Sequence, residues 1–383
     1  MLIHTVSPGD TLFSVARRYG VSVSMLIRTN GLTEEQPLAV GQALLIVYPR
    51  EDYGGYAKRT VRTGGYAYSY IDRAILREAL PYMTYLWIFS YGFSEDGVPL
   101  GTEDEPLIAL AREYGTAPLL VLTTIGEDGQ FSSGRAEKLL KTPELQEKLL
   151  SALLRIMREK GYAGLDVDFE YVPGALAGEY AAFLRLAAER CRENGLLFTT
   201  VAAPKTSAEQ TGLLYEAHDY PVLGAIADTL FLMTYEWGYT YGPPMAVAPL
   251  RQVTQVAEYA VTEVPPEKLL LGIPNYGYDW NLPYIAGTRA RSIGNETAVR
   301  IAAAHRAVIE FDASAASPYF YYSEGGQAHV VWFEDVRSIE RKLELADRLG
   351  LAGVGYWNLQ RPFAQNYALL GARYEIEKLR PAR

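Results

Sequence analysis

An α/β chain closed into a (β/α)8 (TIM) barrel, with a small βααβ unit ahead of it, is the fold this sequence predicts. Three observations carry that reading. From about residue 63 onward, apolar strand-like runs alternate with amphipathic helical runs, and such alternation gives parallel strands joined by helical crossovers. Eight strand-like runs fall in this part of the chain, the number that closes a barrel. One of them, within GYAGLDVDFEYV at 161–172, sets Asp166, Asp168 and Glu170 at every second position of an otherwise apolar segment.

Residues 1–48 read as a self-contained unit. IHTV forms a short strand, and SPGDTLFSVARRYG turns into a helix with Leu12, Val15, Ala16 and Tyr19 on one face, stopped by Gly20. SVSMLIRTNG gives a second short helix, capped by Ser22 or Ser24 and followed by Gly31, and ALLIV gives a second strand. Residues 49–62 mix Pro, two Gly and charges and read as a linker. The first unit is therefore expected to be a tethered module that acts through local concentration.

Residues 63–383 are expected to form the barrel. Its strand candidates are GGYAYSY, MTYLWIFSYG, APLLVLTTIG, GLDVDFEYV, LLFTTVAAP, DTLFLMTYEWG, KLLLGIPNYGY and AGVGYWNL. Helix candidates lie at 72–80, 105–114, 143–160, 177–194, 249–263 and 335–349. An open doubly wound sheet is the competing arrangement, but no GxGxxG follows any strand. The interval between NYGY and GVGYWNL is far longer than one crossover needs. With a helical stretch near 295–306 and the strand-like AVIEF, PYFYY and HVVWF, it reads as a small α+β insertion after strand 7, at about 280–333. Such an insertion walls a groove on the catalytic face.

Composition narrows the classes. Hydrophobic residues make up 49% of 383, enough for a large core. A net charge of −9 without a long basic block argues against nucleic acid and anionic lipid as partners. No apolar run has transmembrane length, so no membrane partner is expected. No basic segment followed by a long apolar run opens the chain, so no signal peptide is expected. The single cysteine excludes an internal disulfide. Cys191 shares a helix face with Tyr180, Phe183, Leu184, Ala187 and Ala188 and reads as a buried structural thiol. The 29 tyrosines suit sugar-stacking surfaces as well as ordinary packing.

Alternate side chains of a strand share a face and lie about 6.6 Å apart, from a rise of about 3.3 Å per residue. Asp166, Asp168 and Glu170 then point into the barrel, with Glu170 nearest its C-terminal mouth, and Leu165, Val167 and Phe169 point to the helix layer. Burial and mutual repulsion favour protonation of such a trio. At least one acid stays neutral near pH 7, as a general acid requires. A solvated amphipathic strand, a Ca²⁺ or Mg²⁺ site and a phosphotransfer aspartate pair are the competing readings. The apolar flanks disfavour the first. No second acidic or histidine cluster completes a metal shell, and no Thr and downstream Lys pattern supports the last. Nucleophilic hydrolysis has no GxSxG, and His4, His218, His305 and His329 show no partnering pattern.

Two family resemblances sharpen this. HTVSPGDTLFSVARRYGVSVSMLIRTNGL…LAVGQALLIV resembles a LysM module, which binds N-acetylglucosamine-containing glycans. The resemblance implicates Gly9, Asp10, Thr11 and the Asn30–Leu32 loop in sugar binding, although PGDT also suits an ordinary turn with a helix cap. AGLDVDFE resembles the D-x-x-D-x-D-x-E signature of glycoside hydrolase family 18, the chitinase-like retaining hydrolases, with Ala163 where the first Asp usually stands. That resemblance implies Glu170 as catalytic acid/base, Asp168 and Asp166 as its supporting aspartates, and Tyr235 as a catalytic partner. LMTYEWG resembles the family's M-x-Y-D and contributes Met233 and Glu236 (in place of Asp). GIPNYGYDW contributes Tyr276, and GVGYWNL contributes Trp357 as the floor of the −1 subsite. The combination looks most like the spore-cortex-lytic N-acetylglucosaminidases of endospore-formers. It implies substrate-assisted cleavage of peptidoglycan without metal or cofactor, in spore coat, cortex or cell wall, by a monomer. A chitin hydrolase and a non-catalytic wall-binding lectin are the alternatives.

Overall fold

Runs rich in β-branched and aromatic residues pair side by side in chain order. The barrel strands 1 to 8 are Arg59–Tyr68, Tyr85–Phe93, Ala117–Thr123, Gly164–Asp168, Leu197–Ala202, Thr229–Leu232, Leu269–Pro274 and Gly353–Trp357. All neighbours are parallel. Strand 8 returns to strand 1, from Gly353↔Arg62 to Tyr356↔Gly65, and this closes the barrel. The structure, a computed structural model, describes residues 1–48 and 58–379. Most of the expected linker, 49–57, lies outside the described residues. Its last part is not linker, because strand 1 already begins at Arg59.

The expected helices appear as Arg73–Ala79, Glu105–Glu113, Pro143–Lys160, Ala177–Glu193, Leu250–Glu263 and Val336–Arg348. Three more, Ser133–Leu140, Tyr220–Ile226 and Ala364–Arg373, were not legible. The second of these is only seven residues long and carries Pro221 and Gly224, so it has little periodicity to read.

Two apolar layers result. Leu165, Val167 and Phe169 point outward into the strand–helix layer, where the Phe169 ring stacks on Tyr180 and Phe183. The lumen is filled by Tyr66, Tyr85, Trp87, Leu119, Val121 and Phe231. The Gly64–Gly65 pair of strand 1 is explained here: a Cβ on Gly64 would lie 2.1 Å from the Trp87 ring. A larger residue at 64 would displace the indole that plugs the barrel. Cys191 is buried, and burial pushes its thiol up to about 12, as a structural thiol requires.

The insertion comprises strands Gly277–Leu282, Arg291–Ile293, Glu310–Asp312, Ser317–Glu324 and Gln327–Trp332 with helix Asn295–Ala304. Its strands form one antiparallel sheet. One face packs on the helix through Ile293, Phe320 and Val331. The other looks toward the mouth through Tyr278 and Trp280.

The N-terminal unit pairs Leu2–Thr5 with Ala43–Ile46 around helices Leu12–Tyr19 and Val23–Asn30. Thr11 and Ser14 form a reciprocal capping box, and Ser22 caps the second helix. This unit is docked on the barrel rather than merely tethered to it. Gln365 Nε2 donates to Asn30 Oδ1 at 2.8 Å and to the Ala43 carbonyl at 2.7 Å. The Ile309 amide donates to the Val40 carbonyl at 2.8 Å. Ala43 and Leu45 are part of the main barrel core.

Gly41, at φ +82, meets the insertion so closely that a Cβ would stand 1.9 Å from the Ile309 carbonyl oxygen. Gly41→Ala should therefore cost roughly 1–3 kcal/mol. It should also speed amide hydrogen exchange across residues 30–46 while leaving the barrel strands protected. Unchanged exchange there would refute a docked unit.

Candidate active site

Strand 4 is buried throughout and sends Asp166 and Asp168 into the lumen. Asp166 rests on the aromatic plug. Tyr66 Oη donates to its Oδ2 at 3.0 Å, and Thr199 Oγ1 donates to its Oδ1. Trp87 Nε1 donates to the same Thr199 oxygen at 3.2 Å, which fixes the direction of the Thr199 hydroxyl. Burial pushes the Asp166 carboxyl up to about 6, with the two hydroxyl donors opposing the shift. Asp168 is 4% exposed, and its Oδ1 has no hydrogen-bond partner. Burial, then the charges of Glu170 and Asp166, hold its pKa well above the usual carboxylate range. Among the described residues no hydrogen bond joins the two aspartates; the Asp166 oxygens accept from Tyr66 and Thr199, and the pair is coupled through charge.

Glu170 lies two residues beyond the last paired residue of strand 4, at the mouth, and is partly exposed. Burial pushes its carboxyl up to about 7, and the negative charge of Glu236 adds to the shift. The backbone between Asp168 and Glu170 is held by His218. Its Nδ1 accepts from the Ala203 amide at 2.7 Å, and its Nε2 faces the Phe169 carbonyl at 3.2 Å. With Nδ1 as acceptor the ring is neutral, and burial lowers its pKa to about 4. Tyr171, directly after Glu170, takes a left-handed turn at φ 57.

Strand 6 brings the next group. Met233 closes the lumen just past the strand's end and is 9% exposed. Tyr235 packs on Phe231. Burial, then the charges of Asp168, Glu170 and Glu236, raise its pKa well above that of an ordinary tyrosine, so it is a neutral O–H donor. Glu236 sits at φ 68, an uncommon conformation for a side-chain-bearing residue. Tyr276 Oη donates to its Oε1, and Tyr278 Oη donates to Oε1 at 3.0 Å and Oε2 at 3.3 Å. Desolvation in the mouth raises the Glu236 pKa, opposed by these donors.

Trp357 ends strand 8 and is wedged by Tyr66, Tyr68 and Phe89, with ring centroids 5.4, 6.1 and 5.1 Å away. It lines a groove of about 380 Å³ with Tyr68, Tyr70, Glu236, Tyr278 and Arg361. A second groove of about 350 Å³, lined by Tyr215, Gln210, Trp237 and Gln252, lies on the other flank. Glu236 and Trp237 are consecutive yet line different grooves, so the loop after strand 6 is the ridge between them.

The structure thus brings together Asp166, Asp168, Glu170, Met233, Tyr235, Glu236, Tyr276 and Trp357. The N-terminal residues are remote from this cluster and behave differently from one another. Gly9 and Thr11 are exposed. Asp10 fastens its turn: Oδ2 accepts from the Ser7 amide at 2.9 Å and pairs with His4 at 2.9 Å. Asn30 corrects the expectation of a sugar ligand. It is 4% exposed, and its amide is spent on the Leu26 and Leu45 backbone and on Gln365. The motif position is real, but its side chain is turned into the LysM unit, with Gln365 as its partner from the barrel. Sequence reasoning missed Tyr66, Thr199 and Tyr278, and named His218 without giving it a partner. Only Tyr66 and Thr199 left a signal, as lumen positions of strands flanking the carboxylates.

Known proteins resemble this chain in sequence and in fold. Residues 105–361 match Glycosyl hydrolases family 18, and residues 4–47 match the LysM domain. The chain is 38% identical to the cortical fragment-lytic enzyme of Bacillus subtilis (strain 168), over 99% of each chain. Its fold superposes on the crystal structure of the Bacillus cereus spore cortex-lytic enzyme SleL with a TM-score of 0.92, at 32% identity and 99% coverage of both. It shares its fold with a chitinase of Chromobacterium violaceum, at a TM-score of 0.76 and 23% identity over 82% of this chain and 98% of that one.

Because Glu236 is the charge that adds to the Glu170 shift, Glu236→Gln should lower the Glu170 pKa from about 7. Side-chain ¹³C NMR of labelled glutamates measures this without any turnover. A Glu170 titration that does not move would remove Glu236 from the electrostatics of the site.

Proposed function

Since this chain belongs to the glycosyl hydrolases family 18, we propose that it is a retaining glycosidase that cuts peptidoglycan after N-acetylglucosamine, with spore cortex as its target. The observation that carries the reading is the buried, unpartnered Asp168 Oδ1 beside Glu170 and Tyr235. A buried carboxylate oxygen without a donor is costly, and a substrate acetamido N–H is the donor that fits it. The relatives named for cortex lysis support the choice of polymer and a spore or cell-wall location.

Retention without a carboxylate nucleophile is substrate-assisted. The 2-acetamido carbonyl oxygen attacks the anomeric carbon as the bond to the leaving oxygen breaks. Glu170, protonated up to about pH 7, gives its proton to that oxygen. The product is an oxazolinium ion bound in the site. Asp168 accepts from the acetamido N–H and offsets the positive charge. Mutual repulsion leaves one of Asp166 and Asp168 protonated, and the donor arriving at Asp168 favours the negative charge there. Tyr235 Oη donates to the acetamido oxygen, and Trp357 stacks beneath the sugar. Glu170 then takes a proton from water, which opens the oxazolinium with overall retention. Gly9 and Thr11 remain the exposed residues of the LysM turn for glycan contact.

Two outcomes test this. Glu170→Gln should lower reducing-sugar release from purified cortex by about 10²–10⁴-fold while glycan pull-down persists; full activity in this variant would overturn the reading. The pH profile of kcat/KM should be a bell. Its acidic limb lies near about 6, below which the aspartate pair has lost its negative charge, and its basic limb lies near about 7, above which Glu170 has lost its proton. A profile flat from pH 5 to 8 would be incompatible with Glu170 as the acid.

A further inference from the structure

The groove beside Trp357 contains one basic lining residue, Arg361, and one acidic lining residue, Glu236. Arg361 is held in place before any ligand arrives. Its stem packs against Gly294. Its Nη1 and Nη2 donate to Ser292 Oγ at 3.0 Å and to the Ser292 carbonyl at 3.2 Å. The loop that carries it is pinned by Asn275, whose Nδ2 donates to the carbonyls of Asn358 and Arg361, each at 2.9 Å.

What Arg361 lacks is a counter-ion. Among the described residues no carboxylate lies within ion-pair distance of it, and its remaining N–H donors have no partner. Three other partly buried arginines are paired, Arg62 with Glu377, Arg337 with Asp335, and Arg373 with Glu340 and Asp347, whereas Arg73 spends its Nη1 on the Ser69 and Ile71 carbonyls. Burial lowers the Arg361 pKa, and only the phenols of Tyr278 and Tyr276 oppose it. A rigid, partly desolvated guanidinium without a carboxylate is an incomplete ion pair, and its planar fork fits a carboxylate.

We propose that Arg361 is a specificity-determining residue that pairs with a carboxylate carried by the glycan in this groove, so that muramic-acid-containing strands are preferred to uncharged chitin. The proposal rests on the reading of this site as a peptidoglycan hydrolase, and names the feature of the polymer that the groove reads. In N-acetylmuramic acid that carboxylate is the lactyl group itself or the terminus of a peptide attached to it. The two share one chemistry at different reach. Glu236, the acidic residue of the same lining, repels that group, so Arg361 is the lining side chain whose charge attracts it.

Binding to the Glu170→Gln protein isolates this effect from turnover. Four ligands are needed: a GlcNAc–MurNAc tetrasaccharide with free lactyl carboxylates, the same with one L-alanine on each lactyl group, the first with its carboxyls amidated, and chitotetraose. Arg361→Gln should weaken one acidic ligand about 10–100-fold and change the amidated and chitin ligands less than about threefold. Whichever acidic ligand suffers identifies the source of the carboxylate. Arg361→Lys should recover part of the loss. Raising salt should weaken only the acidic ligand on the unsubstituted groove. Chitotetraose binding doubles as the folding control. An equal loss across all four ligands, or no loss for either acidic one, would overturn the proposal. Failure of the hydrolase reading appears elsewhere, as an unsubstituted chain that leaves every N-acetylglucosamine polymer intact.

Discussion

The arrangement depends on carboxylates held in a barrel that does not hydrate them. Strand alternation sends Asp166 and Asp168 the same way, with Glu170 beyond them at the mouth, and closure of strand 8 onto strand 1 makes that way the lumen. Desolvation raises all three, but they are not equivalent, because the barrel supplies donors unevenly. Asp166, at the floor, receives Tyr66 and Thr199 and is raised only to about 6. Asp168 has a bare oxygen and two charged neighbours and is raised further. Glu170, partly open to solvent, is raised to about 7. Hydrogen bonds oppose the cost of burial at the bottom and not in the middle, so the site keeps an unpaired acceptor at Asp168.

The aromatic plug makes this gradient possible. Tyr66 and Trp87 stack at 4.7 Å, and Phe231 meets both. They exclude water from beneath Asp166 and also supply its donors: Tyr66 directly, and Trp87 by orienting Thr199. Packing and electrostatics are therefore one structure here. Fixed dipoles in a dry site act more strongly than the same groups in water and need no reorganisation. The left-handed backbones of Tyr171 and Glu236 lie at this rim, where strained conformations are retained because the surroundings over-determine them.

Much of this was legible in the residues. The period-two carboxylates, the alternating runs and the caps at Thr11 and Ser22 are local features, and local features survive in a sequence. What was not legible is what depends on distant parts of the chain meeting. Asn30 sits at a sugar-loop position by motif, but its amide is taken by the Leu26 and Leu45 backbone and by Gln365. Glu236 lines the groove, and the bonds it accepts from Tyr276 and Tyr278, from the segment that opens the insertion, had no mark in the sequence. Arg361 stood inside a motif-rich stretch with nothing to mark it, because an absent counter-ion is visible only in three dimensions. The helix Tyr220–Ile226 failed for a different reason, being too short to repeat.

Docking of the LysM unit changes what that unit can contribute. A flexible tether adds effective concentration set by linker length. Here Gln365, Val40 and Gly41 fix the unit against helix Ala364–Arg373 and the insertion, so its surface and the groove keep one relative orientation. The helix that receives Asn30 begins three residues after Arg361, and Glu296, beside Gly31 of the LysM unit, accepts from the Ala364 amide at 3.0 Å. The contact surface of the LysM unit and the charged wall of the groove therefore share one short segment, 358–365. A glycan held by the LysM unit and one held in the groove are presented by the same rigid body. Binding at the two is then additive only for a polymer whose path spans both, and a short oligosaccharide gains nothing from the second site.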